Sequence, residues 1–416
     1  MTKKLLSFML ALALVLILPL PTLAAENTMA FIDGLPSSLE EVETDSGSSD
    51  THKVMEITRL LFETKRNQIA NEQSEDYDFA PFWSTNVANA ENINYFVSSV
   101  MARKKSFASA GMRASNSRVE LTFHKIEINS HTAVIDVYEW FAFTYYFIEN
   151  NTAMDEESGE GLPYRITLKK VNENWRISDI EFSDLTFESL RDPSLSVEAF
   201  VKGQREVAAA CIPYETVTAE PIDPQRLPSR KALDTSRFVT YAKKYAGSNR
   251  SSLFCDYTTM GGDCQNYASQ CIWYGLGGVE SSTAVNNYNF PMVGPSSSNR
   301  RWYNDRPGNH TGSWTVVGSF ADYVVAGDTS FVGLYGTVTN GVANAQVGDI
   351  IQIRKIGETS FCHSYVVISV TGSAGRRTAD NIWVCAHTKD VSNVILSGQV
   401  DSTYVYRTVH VGGIYN

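Results

Sequence analysis

The chain has 416 residues, with 35 Lys and Arg against 46 Asp and Glu, so its formal net charge is −11. Hydrophobic residues make up 43% and charged residues 19%, enough apolar material for packed cores, which excludes a wholly disordered polymer. The acidic balance argues against a nucleic-acid partner, because phosphate backbones demand clustered Lys and Arg.

Lys3 and Lys4, an apolar run from Leu5 to Leu20, and the small residues Ala24 and Ala25 after Pro21 form the three parts of a secretory signal peptide, predicted over residues 1–25. The competing reading is a retained anchor, but the run falls short of a comfortable span. No other segment is long and apolar enough to cross a bilayer, so cleavage is expected to leave no integral membrane segment. The protein is therefore expected to be secreted, either free or associated with a cell wall. Residues 26–52, ending in Glu43-Thr44-Asp45-Ser46-Gly47-Ser48-Ser49-Asp50, read as a disordered, solvated spacer with little to bury.

Residues 53–205 read as an α+β domain. Val54, Ile57, Leu61 and Phe62 keep helical spacing, as do Ile93, Phe96, Val97, Val100 and Met101. Strand alternation follows at Val119, Leu121 and Phe123, at Ile135, Val137, Phe141, Phe143 and Tyr145, and at Tyr164, Ile166 and Leu168. A turn at Glu173-Asn174 leads into Trp175 and Ile177. Helices followed by antiparallel strands predict a curved sheet wrapped on a helix, an order similar to the cystatin-like cone of SnoaL-type domains. Its expected role is a spacer or docking module, with His124 and His131 at the surface. Pro213, Pro221, Pro224 and Pro228 then mark residues 206–231 as an extended linker.

The chemistry lies in residues 232–416. Leu233 to Tyr245 is predicted as an amphipathic helix, capped by Asp234 or Thr235 and ended by Gly247. A second helix opens after Gly261-Gly262-Asp263, with Cys264, Tyr267, Ala268, Cys271 and Ile272 on one buried stripe. Asp263 is a good N-cap residue, and Cys264 then falls on the first turn among unpaired N–H groups at the positive end of the helix dipole. That location, with a nearby His⁺, can bring a thiol pKa down to roughly 3.5–7.5. The same N–H groups can stabilise an oxyanion. Three strands are expected downstream, one entered through Val347-Gly348-Asp349, one beginning at His363 and one ending at His387. His310 sits in polar loop text and His410 near the chain end, which leaves His363 and His387 as the candidate bases.

Gly261-Gly262-Asp263-Cys264-Gln265-Asn266-Tyr267, Ser313-Trp314-Thr315, Gly348-Asp349-Ile350-Ile351, His363-Ser364 and Ala386-His387-Thr388 resemble the “putative amidase domain” of secreted bacterial proteins, a family similar to papain-like cell-wall peptidases and CHAP amidases. The resemblance implies a papain-like α+β fold with the cysteine helix packed on an antiparallel sheet. It also implies Cys264 as nucleophile, His363 as general base and His387 as the orienting third residue, a task for which Asp390 and Asn393 are alternatives. The implied substrate is an amide bond of a cell-wall peptide or of peptidoglycan. From the residues themselves, Tyr257, Asp263 and Gln265 are candidates for oxyanion or supporting roles, and Trp302, Tyr303 and Trp314 for a substrate groove. No cofactor is expected. Zinc on Cys264, Cys385, His363 and His387 is disfavoured, because paired Cys-x2–4-Cys spacing is missing. A silent binding module of the same fold and a transglutaminase-like acyl transferase are the alternative readings. Six cysteines (Cys211, Cys255, Cys264, Cys271, Cys362 and Cys385) are too sparse to imply a disulfide scaffold.

Overall fold

The computed structural model describes residues 49–71, 78–210, 216–217, 230–247, 249–258, 262–294, 300–306, 309–326 and 332–415. The expected signal peptide, all but the end of the spacer, Cys211 and most of the Pro-rich linker lie outside these residues. The molecule is mixed α+β, with helices packed on a large antiparallel sheet.

The first half opens with α1 (Asp50–Ala70), whose N-terminus is capped by Ser49 accepting from the His52 N–H. The helix therefore begins inside the stretch expected as a spacer, because Ser49-Asp50 supplies a cap and an acid for the first turn. Val54, Ile57, Leu61 and Phe62 are buried as their spacing predicts. The second helix, α2 (Ala90–Ser109), is capped by Asn89 and buries Ile93, Phe96 and Val100. Four antiparallel strands follow: β1 (Met112–Ile128), β2 (Thr132–Phe147), β3 (Ser158–Val171) and β4 (Asn174–Glu181). The hairpin joining β3 to β4 turns at Asn172 and Glu173, both at positive φ, one residue earlier than the sequence suggests. Two consecutive left-handed residues match the twist of the flanking strands, so the turn settles there. His124 and His131 are exposed, and helix α3 (Val197–Ala209) closes this half.

In the second half, α4 (Thr235–Lys244) is capped by Asp234, whose carboxylate accepts from the Ser236 and Arg237 N–H groups. Helix α5 (Cys264–Gly275) packs beside it, and α6 (Val317–Val325) lies further on. The strands are β5 (Gly333–Asn340), β6 (Ile350–Lys355), β7 (His363–Val370), β8 (Ile382–Ala386), β9 (Asp390–Ile395) and β10 (Tyr404–Tyr415).

The two halves share one sheet. Its main order is β1-β2-β3-β9-β8-β7-β6-β10-β5, with β4 pairing on β3 and short strands at Thr152–Ala153, Thr216–Val217 and Arg230–Ala232. The junction is the β3–β9 pair, in which Gly159, Glu160 and Gly161 face Ser392, Val391 and Asp390. Trp140 of β2 lies so close to Gly159 that a Cβ there would sit 2.2 Å from its ring, and one on Gly161 would sit 2.0 Å from the Tyr138 hydroxyl. Glycine at these positions lets the aromatic side chains lie flat over the junction. Ion pairs bind the halves further, a buried one of Asp184 with Lys389 at 2.8 Å and a part-exposed one of Arg205 with Asp380 at 2.8 Å.

Candidate active site

The backbone before α5 is set by Gly262, at φ +117, a conformation that side chains other than hydrogen rarely adopt. Asp263 follows at the N-cap position, and Cys264 is the first helical residue. The sequence predicts one buried stripe, but the structure buries this helix almost all round, with only Tyr274 partly exposed among its residues. Its polar side can be buried because Gln265, Asn266, Ser269 and Gln270 each find a partner, whereas the Trp273 indole N–H is left without one. Gln265 Oε1 accepts from Ser364 Oγ at 2.7 Å and from Gln352 Nε2 at 3.1 Å. Ser269 Oγ donates to the Trp314 carbonyl at 2.8 Å, and Gln270 Oε1 accepts from the Tyr241 hydroxyl at 2.9 Å.

Cys264 is only 5% exposed. Burial pushes its thiol up to about 12, and the Asp263 carboxylate adds to that, while the backbone N–H groups of Ser364 and Gln265 pull the other way. The thiolate stabilisation expected at a helix start is thus present but outweighed, because no His⁺ stands by and water is excluded. The sulfur is placed against the first turn of its own helix and against the start of β7.

His363 is the first residue of β7. Strand alternation sends Ser364 toward α5, where it meets Gln265, and sends His363 to the opposite face. There its ring packs edge-on against Tyr365 at 4.5 Å, and its Nε2 has no hydrogen-bond partner. Burial first, and the Lys389 ammonium second, lower its pKa to about 3, so the imidazole is neutral. Cys264 and His363 make no hydrogen bond to one another, although the residue that contacts the sulfur through its N–H is the chain neighbour of His363.

His387 directly follows β8 and makes no hydrogen bond to His363. Its Nδ1 lies 2.6 Å from Asp263 Oδ2 and its Nε2 lies 2.6 Å from the Tyr245 carbonyl oxygen. The ring stacks on Tyr267 with centroids 3.9 Å apart. Both ring nitrogens face oxygen atoms, one of the Asp263 carboxylate and one of the Tyr245 carbonyl. The expected His363–His387 contact is therefore replaced by a His387–Asp263 pair. Asp390, the alternative orienter, accepts from Tyr138 and from Arg250, each at 2.7 Å. Asn393, the other alternative, does not bond His363 either; its backbone carbonyl accepts from Ser158 Oγ at 2.7 Å.

Asp263 holds the centre of a buried polar network. Rather than capping its helix, its carboxylate accepts from the Tyr257 N–H at 3.0 Å and from Asn266 Nδ2 at 2.7 Å, besides meeting His387. Asn266 Oδ1 accepts from Asn304 and from the Trp314 indole N–H, at 2.8 and 2.9 Å. The Tyr257 hydroxyl lies between Asn304 Oδ1 at 3.0 Å and His310 Nδ1 at 2.9 Å. Tyr257 and Gln265 are thus occupied by protein partners. Trp302 and Trp314 have no exposed surface and pack on each other at 4.4 Å, so neither lines a groove; Tyr303 is buried as well. Their size made a groove attractive, but both are enclosed by protein, Trp302 in packing and Trp314 in packing and in its hydrogen bond to Asn266. Sequence reasoning missed Asn304, Gln352 and Arg250, and quoted Ser364 and Thr388 only as neighbours of His363 and His387, without a role. The first three sit in no motif with reactive side chains, and only the fold brings all five to the helix. Cys255, Cys264, Cys271, Cys362 and Cys385 are free thiols. Among the described residues, no three His, Cys, Asp or Glu side chains gather as a metal would require.

Residues 232–409 match the family model described as “Putative amidase domain”. This supports an amide hydrolase in that part of the chain. No curated protein matches the chain. Among solved structures, the intermembrane space region of the chloroplast protein ARC6 is similar at 11% identity, over 32% of this chain and 97% of its own, with a TM-score of 0.22. The Kfla4162 protein from Kribbella flavida is similar at 15% identity, over 32% of this chain and 92% of its own, with a TM-score of 0.21. Likenesses of that size fix neither fold nor function. No helix among the described residues is long and apolar enough to cross a membrane.

Proposed function

We propose that the second half of the chain hydrolyses amide bonds, with Cys264 as nucleophile and His363 as the base, outside the cell and on peptides of the cell wall. The observation that carries the reading is the setting of Cys264, at the first position of a helix and against two backbone N–H groups. His363 supplies an imidazole that is neutral, with an unengaged nitrogen. The reaction requires its ring to leave Tyr365 and come round the start of β7 to the face where the sulfur lies against the Ser364 N–H. Nε2 then takes the thiol proton as sulfur attacks the carbonyl carbon, and the oxyanion is met by N–H groups of the helix start. Collapse of this intermediate breaks the C–N bond, and the proton on His363 goes to the leaving amine. Water then attacks the thioester, with His363 taking its proton, and Cys264 leaves as the thiol.

One observation favours a second reading, a binding module without turnover. The thiol is buried with its pKa raised, and it is not hydrogen-bonded to His363.

Incubation with purified peptidoglycan fragments, followed by mass identification of the products, decides between them. We expect release of an amine and a carboxylic acid by the native protein, and a loss of at least about 1,000-fold in Cys264→Ala, the scale on which nucleophile removal acts. Equal activity in Cys264→Ala ends the proposal. Fragment binding without any product establishes the second reading.

A further inference from the structure

The turn between β8 and β9, His387-Thr388-Lys389-Asp390, grips two different parts of the molecule. Its first two residues hold Asp263, the residue before Cys264: His387 meets the carboxylate at 2.6 Å and Thr388 Oγ1 accepts from the Asp263 N–H at 2.6 Å. Its last two residues are held by the first half of the chain, with Asp390 accepting also from Arg250 of the second half at 2.7 Å. Lys389 is buried and pairs with Asp184 at 2.8 Å, donating also to Thr186 Oγ1. Asp390 accepts from the Tyr138 hydroxyl at 2.7 Å and opens the strand that pairs with Gly161 of β3.

Thr388 itself stands at φ +83. A β-branched residue in that region is a true outlier, sustained only where its surroundings over-determine it. Here the surroundings are those contacts, together with Gly262, whose missing Cβ would lie 3.3 Å from Thr388 Oγ1. A short strained turn fixed at both ends transmits displacement, since it has no slack to absorb it.

We propose that the first half of the chain is a positioning module for Cys264, acting through this turn, so that Asp184 and Tyr138 set the placement of a sulfur they never touch. The inference rests on the reading of Cys264 as nucleophile. It gives the N-terminal half a role in the reaction and assigns His387 and Thr388 to the helix start, where they hold Asp263.

The test uses the full chain and two variants, Asp184→Asn and Tyr138→Phe, the second removing one oxygen and keeping shape. Two quantities are read well below the melting temperature: kcat and KM on the peptidoglycan fragments, and the rate of Cys264 alkylation by iodoacetamide, followed by mass mapping of its peptide. We expect kcat to fall by about tenfold with KM within about twofold, because small misplacement of a reacting atom is costly while binding is untouched. The alkylation rate is expected to change by about threefold or more in both variants. Unchanged alkylation in a Tyr138→Phe protein of native melting temperature overturns the proposal, as does a parallel loss that tracks melting temperature alone. Should the native protein release no product, the amidase reading fails, while the alkylation arm still judges the coupling.

Discussion

Burial acts on Cys264 and His363 in opposite directions and leaves both uncharged. The thiol keeps its proton because the thiolate would lose its water, and the imidazole refuses one because the cation would. Under the proposed mechanism, a neutral pair of this kind would exchange its proton only as the reaction proceeds, unlike a preformed thiolate–imidazolium pair. The imidazole also has a consequence for stability. Its folded pKa, about 3, lies below the ordinary value of 6.5, so the unfolded chain binds a proton that the folded chain does not. The stabilisation is full above pH 6.5 and is lost as pH falls toward 3, at up to about 1.4 kcal/mol per pH unit. Urea midpoints of the native protein and of His363→Gln, taken from pH 7 to 4.5, test this. The native midpoint should fall on acidification, and the variant's should fall less; parallel curves would mean that His363 is protonated in the fold.

At the scale of the element, the helix bearing Cys264 shows what a sequence can and cannot disclose. Gly262 and Asp263 mark its start, and the helical spacing of Tyr267, Ala268, Cys271 and Ile272 marks its buried stripe, all of which the structure keeps. These features depend on backbone conformation and local periodicity, which adjacent residues determine. The partner of His387 depends instead on how the turn after β8 is strained and on which residues of another strand hold it. Ser364 rather than His363 faces the helix for a related reason, since alternation fixes relative facing but the sheet decides which side receives α5. Asp263 carries the largest energetic consequence. Its carboxylate, 1% exposed, serves the Tyr257 N–H, Asn266 and His387 together. Asp263→Ala leaves these donors buried without an acceptor and should cost about 3–5 kcal/mol. Denaturant titration at neutral pH measures it, and a loss below about 1 kcal/mol would show that water takes the place of the carboxylate.

At the scale of the whole molecule, the halves that composition separates are joined by hydrogen bonds that composition cannot reveal. The Pro-rich stretch predicts a linker, yet β3 pairs with β9 across more than 200 residues of chain, and no local pattern in Gly159-Glu160-Gly161 announces a partner so distant. The strand pair is backed by the buried Asp184–Lys389 ion pair at 2.8 Å and by Ser189 donating to Asp401 at 2.6 Å. Separating the halves would strand these charges in apolar surroundings, so partial unfolding at the seam is as costly as further unfolding. The described halves should therefore melt together, in one calorimetric transition. Gly161 is the place to break that unity. A Cβ there would lie 2.0 Å from the Tyr138 hydroxyl, the same hydroxyl that serves Asp390, so Gly161→Val must move Tyr138 or part the strands. Two resolved transitions in Gly161→Val, against one in the native protein, are the expected outcome. A single transition merely shifted to lower temperature would mean that the junction yields without separating, and that the cooperativity resides in the ion pairs instead.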